Sequence, residues 1–204
     1  MNGVTRRARD APRVPARCNG SMLTALQRRK LQLRFALLDT DGNGYLSQED
    51  YDLVTLRLCA AFGHLPGTPG YERVHNAYLK LWEQLRSRMD LDGTGRITLE
   101  QFMAGCERLL REQSHAEPSQ LAHDPVDLIF EMVDADRNGV IDLVEFTTWM
   151  HAYGVGAQDT VEAFDLLDSD DDGVLSRPEV AAAAQAFYSS NDPADVGNWL
   201  FGPL

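Results

Sequence analysis

Cysteine is scarce in this chain of 204 residues: three thiols, Cys18, Cys59 and Cys106, stand far apart and in odd number. That count excludes a disulfide scaffold and suits a reducing compartment, which predicts a cytoplasmic protein. Long apolar runs are missing too. None approaches the roughly 18 to 20 residues that cross a bilayer as a helix, so no transmembrane segment is expected. The first 21 residues hold no apolar stretch of the secretory kind. Basic residues are in deficit, with 19 Lys and Arg against 31 Asp and Glu, for a net charge of −12. Such a body repels polyanions, which excludes nucleic acid as a partner of its whole surface. The five histidines, His64, His75, His115, His123 and His151, share no zinc-ligand spacing. No phosphate-cradling G-x-x-x-x-G-K, nucleophile elbow or catalytic His/Cys set is present, so the chain is not expected to be an enzyme.

What the chain does have is acidity gathered into short glycine-containing stretches. A D-x-D-x-[D/N/T]-G hexad begins at Asp39, Asp90, Asp134 and Asp168. Four copies of one pattern make an internal repeat. A hard divalent cation of calcium's size accounts for it. Calcium takes six to eight oxygens, and carboxylates on alternate residues of a tight loop can converge on one centre. Glycine at the sixth position permits a turn that a Cβ would obstruct. The seventh position offers its carbonyl. The eighth is apolar in every copy (Leu46, Ile97, Ile141, Leu175) and can pair across two loops in a short ladder. The twelfth should bring a long carboxylate from the first turn of the next helix.

From about Leu23 to Phe187 the chain therefore resembles the EF-hand calcium-binding family. Loops 3 and 4 each match the full D-x-[DN]-x-[DN]-G-x5-E signature. The four-hand layout, with its impaired second hand, is similar to that of the sarcoplasmic calcium-binding proteins and bacterial calerythrin. The resemblance implies an all-α fold of four EF-hands in two pairs, eight helices packed as one domain. It also implies a calcium buffer or modulator of calcium signals.

The ligands follow position by position. Loop 3 offers Asp134, Asp136, Asn138, the Val140 carbonyl, Asp142 and Glu145. Loop 4 offers Asp168, Asp170, Asp172, the Val174 carbonyl, Ser176 through a water, and Glu179. Loop 1 offers Asp39, Asp41, Asn43, the Tyr45 carbonyl and Ser47 but ends in Asp50, one methylene short of glutamate. The loop must contract or the ligand become monodentate, which narrows the gap between calcium and magnesium. Loop 2 has only Asp90 and Asp92 as carboxylates, with Thr94 and a neutral Gln101 at the twelfth position. Glu100, one residue early, should point elsewhere. Loop 2 is expected to be a scaffold for loop 1, leaving three calcium sites.

Helical stripes flank the loops. Leu31, Phe35 and Leu38 enter loop 1, and Tyr51, Val54, Leu58 and Phe62 leave it. Val74, Tyr78, Leu81, Leu85 and Met89 enter loop 2. Val126, Ile129, Phe130 and Val133 enter loop 3, with Phe146, Trp149, Met150 and Tyr153 after it. Ala157, Val161 and Phe164 enter loop 4, followed by Val180, Ala184 and Phe187. All are expected in the core, with Cys59 and Cys106 as small core residues. The expected layout is a disordered basic leader at 1–21, a first pair of hands at 22–112 and a linker at 113–123. A second pair follows at 124–190, with an apolar tail at 191–204. The tail's Trp199, Leu200 and Phe201 are expected to pack back on the helices and fill the groove that calcium would otherwise open.

The methionines beyond the first are scattered, whereas an open sensor groove is methionine-rich. A monomeric buffer is therefore preferred to a sensor that opens a hydrophobic groove for a protein target. The arginine-bearing leader leaves room for an anionic partner, but nothing in the body requires one.

Overall fold

Helix–loop–helix units follow one another four times in the computed structural model of the chain, which describes residues 23–90, 92–113 and 120–204. The first unit is α1 (Ala25–Leu38), β1 (Tyr45–Leu46) and α2 (Gln48–Ala61); the second is α3 (Pro69–Met89), β2 (Ile97–Thr98) and α4 (Leu99–Gln113). The third comprises α5 (Gln120–Val133), β3 (Val140–Ile141) and α6 (Leu143–Ala152), the fourth α7 (Ala157–Leu167), β4 (Leu175–Ser176) and α8 (Arg177–Ser189). A 3₁₀ turn at Val196–Trp199 ends the ordered elements. The start of α1 is written in the sequence: Thr24 Oγ accepts from Gln27 N–H and Gln27 Oε1 from Thr24 N–H, a reciprocal cap.

The expected ladders form. β1 pairs antiparallel with β2, setting Leu46 opposite Ile97, and β3 pairs with β4, setting Ile141 opposite Leu175. All four side chains are fully buried, each removal from water contributing about 1.5–3 kcal/mol. The strands stay two residues long because each is hemmed in. A left-handed glycine stands one or two residues before it (Gly44, Gly95, Gly139 and Gly173), and the next helix begins within two residues of its end.

The two pairs share one core. Within the first pair α2 packs on α3 and α1 on α4; within the second α5 packs on α8 and α6 on α7. Contacts of α2 with α6, α1 with α8 and α3 with α5 join the halves. The Tyr78 and Tyr153 hydroxyls meet across this seam at 3.2 Å. Cys59 and Cys106 are buried thiols, as expected.

Two cations on α1 lie inside this core, where the sequence offered no reason to look. Lys30 is 1% exposed, and its Nζ donates to the carbonyls of Ala186 and Ser190, closing the C-terminus of α8. Arg34 lies over the rings of Phe201, at 4.5 Å, and Tyr153, at 5.4 Å.

The tail folds back as expected. Leu200 and Phe201 are buried, and Phe201 stands edge-on to Phe187 at 5.0 Å and to Tyr153 at 6.3 Å. Gly197 makes this docking possible: a Cβ there would stand 2.5 Å from the Ala186 Cβ and 2.8 Å from the Ala183 carbonyl. Arg29 donates to the Leu204 carbonyl and ties down the end of the chain.

Two expectations need correction. Before loop 4 the buried stripe is Thr160, Ala163, Phe164 and Leu167, whereas Ala157 and Val161 are exposed. Thr160 tolerates full burial because its hydroxyl donates to the Gly156 carbonyl at 2.8 Å. The linker is also shorter than 113–123, since α4 runs to Gln113 and α5 starts at Gln120; the polar run around Pro118 hid the first turn of α5. The leader at 1–21, with Cys18, and His115 lie outside the described residues, as does the side chain of His123.

Truncating Phe201 to Ala removes an aromatic ring from three partners and should cost about 3–5 kcal/mol. Urea unfolding in saturating calcium measures it, and an unchanged midpoint would contradict the packing role of the tail.

Candidate metal centres

Every loop is built on the same backbone frame. The first aspartate accepts two N–H groups from further along its own loop: Asp39 from Asn43 and Gly44, Asp90 from Thr94 and Gly95, Asp134 from Asn138 and Gly139, Asp168 from Asp172 and Gly173. The chain bends tightly enough for this because two residues per loop are left-handed. One is the expected glycine at the sixth position; the other, missed in the sequence, is the fourth. Gly42 and Gly93 hold that place in loops 1 and 2, but Arg137 (φ 61°) and Asp171 (φ 56°) hold it in loops 3 and 4. A non-glycine residue in this region carries strain of roughly 1 kcal/mol or more.

The twelfth residue closes the frame. Glu145 accepts the Ala135 N–H on one oxygen, at 2.8 Å, and the Asp142 N–H on the other, at 3.1 Å. Glu179 does the same with Ser169 and Ser176, both at 2.8 Å. Asp50, despite its shorter stem, bridges Thr40 and Ser47, both at 2.9 Å, and is almost fully buried. Asp50 thus makes the same two closing hydrogen bonds as the glutamates of loops 3 and 4.

These closures bring the acids together. One oxygen from each of Asp39, Asp41 and Asp50 lies within 4.8 Å of the other two; Asp134, Asp136 and Glu145 form a second such group, and Asp168, Asp170 and Glu179 a third. Oxygens bound to one calcium at 2.3–2.6 Å stand no more than about 5 Å apart, so the donor sets fit that ion. Asn43 and Asn138 stand beside their clusters, each donating its side-chain N–H to the third-position aspartate. Asp172 turns an oxygen to the Val174 N–H, and Asp142 caps α6 by accepting the Glu145 N–H. Ser47 and Ser176 likewise donate to the twelfth carboxylate at the N-caps of α2 and α8. Tyr45 and Val140 begin β1 and β3, and Val174 adjoins β4.

Loop 2 keeps the frame and lacks the cluster. Gln101 Oε1 accepts the Thr98 N–H at 2.8 Å, while Gln101 Nε2 donates to Asp92 at 3.1 Å. The amide thus supplies internally the attraction that a cation would provide. The Thr94 hydroxyl and N–H, aided by Gln101, hold Asp92 below the usual carboxylate range. Glu100 is exposed, as its place on the helix requires.

Loop 4 shows the opposite electrostatics. Desolvation and the neighbouring Asp172 and Glu179 push the Asp170 carboxyl up. Burial also raises Glu179, but hydrogen bonds from Ser176 and Ser169 outweigh it and hold that group at about 2. Acids crowded in this way are relieved by a divalent ion.

Comparison with known proteins agrees with this geometry. The sequence profile of an EF-hand domain pair matches residues 83–151, and that of a single EF hand matches residues 160–182. Calerythrin of Saccharopolyspora erythraea is 30% identical over 82% of this chain and 94% of its own length. A calcium-binding protein of Streptomyces coelicolor, 25% identical, superimposes with a TM-score of 0.68 over 80% of this chain and 98% of its own. A sarcoplasmic calcium-binding protein from amphioxus shares the fold, with a TM-score of 0.71 over 89% of this chain and 99% of its own at 19% identity.

Replacing Gln101 by Glu puts a third carboxylate into loop 2 and removes the N–H donor from Asp92. Calcium calorimetry should then register one more bound ion per chain than the unaltered protein. An unchanged stoichiometry would show that the loop fails for some other reason than its ligand count.

Proposed function

The chain belongs to the EF-hand calcium-binding family, and from that premise we propose that it is an intracellular calcium buffer or calcium-signal modulator with three sites. Loop 1 binds through Asp39, Asp41, Asn43, the Tyr45 carbonyl and Asp50. Loop 3 uses Asp134, Asp136, Asn138, the Val140 carbonyl, Asp142 and Glu145, and loop 4 Asp168, Asp170, Asp172, the Val174 carbonyl and Glu179. Loop 2 serves as the partner strand of loop 1 and holds no ion. The bound ion supplies charge neutralisation and a rigid loop; no bond is made or broken.

The observation that carries the buffer reading is the apolar surface already covered by the chain itself. A sensor exposes a groove when its helix pairs open. Here Leu200 and Phe201 lie buried against α8 and the end of α6, and the halves are sewn together by Tyr78, Tyr153 and Arg34. Opening would have to expose that aromatic cluster, so calcium rigidifies the body and leaves it closed. Loop 1, closed by the shorter Asp50, is the place where magnesium competes best.

Titration calorimetry tests the reading. Three calcium ions should bind, with little change in the fluorescence of a hydrophobic dye on saturation. A sharp rise in dye binding would favour the sensor, and four equivalent ions would overturn the assignment of loop 2.

Coupling between loops 3 and 4 should run through the Ile141–Leu175 pair. Glu145→Gln and Glu179→Gln should each weaken the altered site most, by about tenfold or more, and the partner loop measurably. If either substitution left the partner's affinity untouched, the coupling would be wrong.

A further inference from the structure

Beyond the loops, one internal space and one charge are left unexplained, and they coincide. A cavity of about 170 Å³ lies between α1, α3 and α4, with Tyr51, Ile129 and Tyr188 completing its wall. The space is partly open to solvent, and an apolar volume of about 150 Å³ is enough to hold a benzene ring. The wall is largely leucine, phenylalanine, methionine and tyrosine. Its charged members among the described residues are two arginines, Arg34 and Arg88, and no acid, in a chain whose net charge is −12.

Arg34 Nη1 is buried and has no hydrogen-bond partner. Among the described residues Arg34 enters no ion pair. Its ring contacts with Phe201 and Tyr153 engage the face of the guanidinium, and Tyr188 shares a hydrogen bond with its edge, which leaves Nη1 as the unspent donor. Buried donors of this kind are nearly always satisfied, and an exception asks for a missing partner. The surrounding phenols cannot supply the countercharge. Burial pushes the Tyr51 and Tyr78 hydroxyls well above their ordinary range, so both stay protonated and carry no charge. The partner must bring its own negative charge and an apolar body that fits the rest of the wall.

We propose that this cavity binds a small monocarboxylate with an apolar body, its carboxylate received by Arg34 and its apolar part lying among Tyr51, Phe102 and Leu85. A planar carboxylate matches the guanidinium fork in a way that a water cannot, because it brings both geometry and charge. Arg88, exposed on α3 at the rim, draws an anion to the entrance. The site is separate from the calcium clusters, and its test does not depend on how many of those fill.

Calorimetry on the full chain in saturating calcium decides it, with phenylacetate as probe and phenylacetamide as its neutral counterpart. Phenylacetate should bind one to one, and the amide at least about tenfold more weakly. Arg34→Met keeps the apolar bulk and should lower acid binding to the level of the amide. Leu85→Trp, which fills the space, should abolish binding of both. No heat with millimolar acid, equal affinity for acid and amide, or full acid binding by Arg34→Met would each overturn the proposal. The acid–amide comparison on the unaltered protein stands even if a variant does not fold.

Discussion

The carboxylate at the end of loops 1, 3 and 4 ties each loop's entrance to its exit, and the rest of the architecture leans on that bridge. One oxygen takes an N–H beside the first aspartate; the other takes the N–H that opens the outgoing helix. A single side chain thereby fixes the path of the loop, caps a helix and faces two further acids. Remove its charge and the three tasks separate. Gln101 still caps α4, because an amide oxygen accepts from Thr98 as well as a carboxylate does, but its second terminus is a donor and turns to Asp92. Loop 2 therefore keeps its shape and its strand while losing the negative cluster. Architecture and ion binding share one residue but rest on different properties of it.

Most of this was legible in the sequence because the repeat encodes geometry and chemistry at the same positions. The eighth-position residues had to meet, and Leu46 faces Ile97 while Ile141 faces Leu175. What stayed hidden obeys rules that local pattern cannot carry. Gly42 and Gly93 hinted that the fourth loop position is left-handed, and Asp171 tolerates it, but nothing about Arg137 gave that away. Nothing in the pattern of α1 marks Lys30 or Arg34 as facing inward, because charges on a helix usually lie outside. Their burial depends on the α8 carbonyls and the tail's aromatics, more than 150 residues distant. On α7, Val161 looked like core and Thr160 did not, yet one hydroxyl bond to Gly156 reversed their roles.

The long-range contacts also explain why two pairs of hands make one body. Each ladder couples loops only within its own pair. Across the seam, the Tyr78–Tyr153 contact, the stacked guanidinium of Arg34 and the docked Phe201 join α1, α3, α6 and the tail. Phe201 touches Phe187 of α8, a few turns beyond Glu179, while Leu38 and Met89 deliver the first halves of loops 1 and 2 from the same core.

Such a body cannot be indifferent to its ions. In loop 3, Asp134 and Glu145 are both buried, with oxygens no more than 4.8 Å apart. Two like charges at that distance repel by roughly 1 kcal/mol in water and by about 3 kcal/mol at the effective dielectric of a protein interior. Hydrogen bonds to Asn138, Gly139 and Ala135 hold these acids in place without removing their mutual repulsion. Set against a net stability of about 5–15 kcal/mol for a whole domain, a repulsion of that size is a sizeable part of the balance. A divalent ion converts each repulsive pair into two attractive ones. Its binding free energy then becomes folding free energy. The acid clusters thus weigh against the fold, and the aromatic seam that joins the two pairs weighs for it.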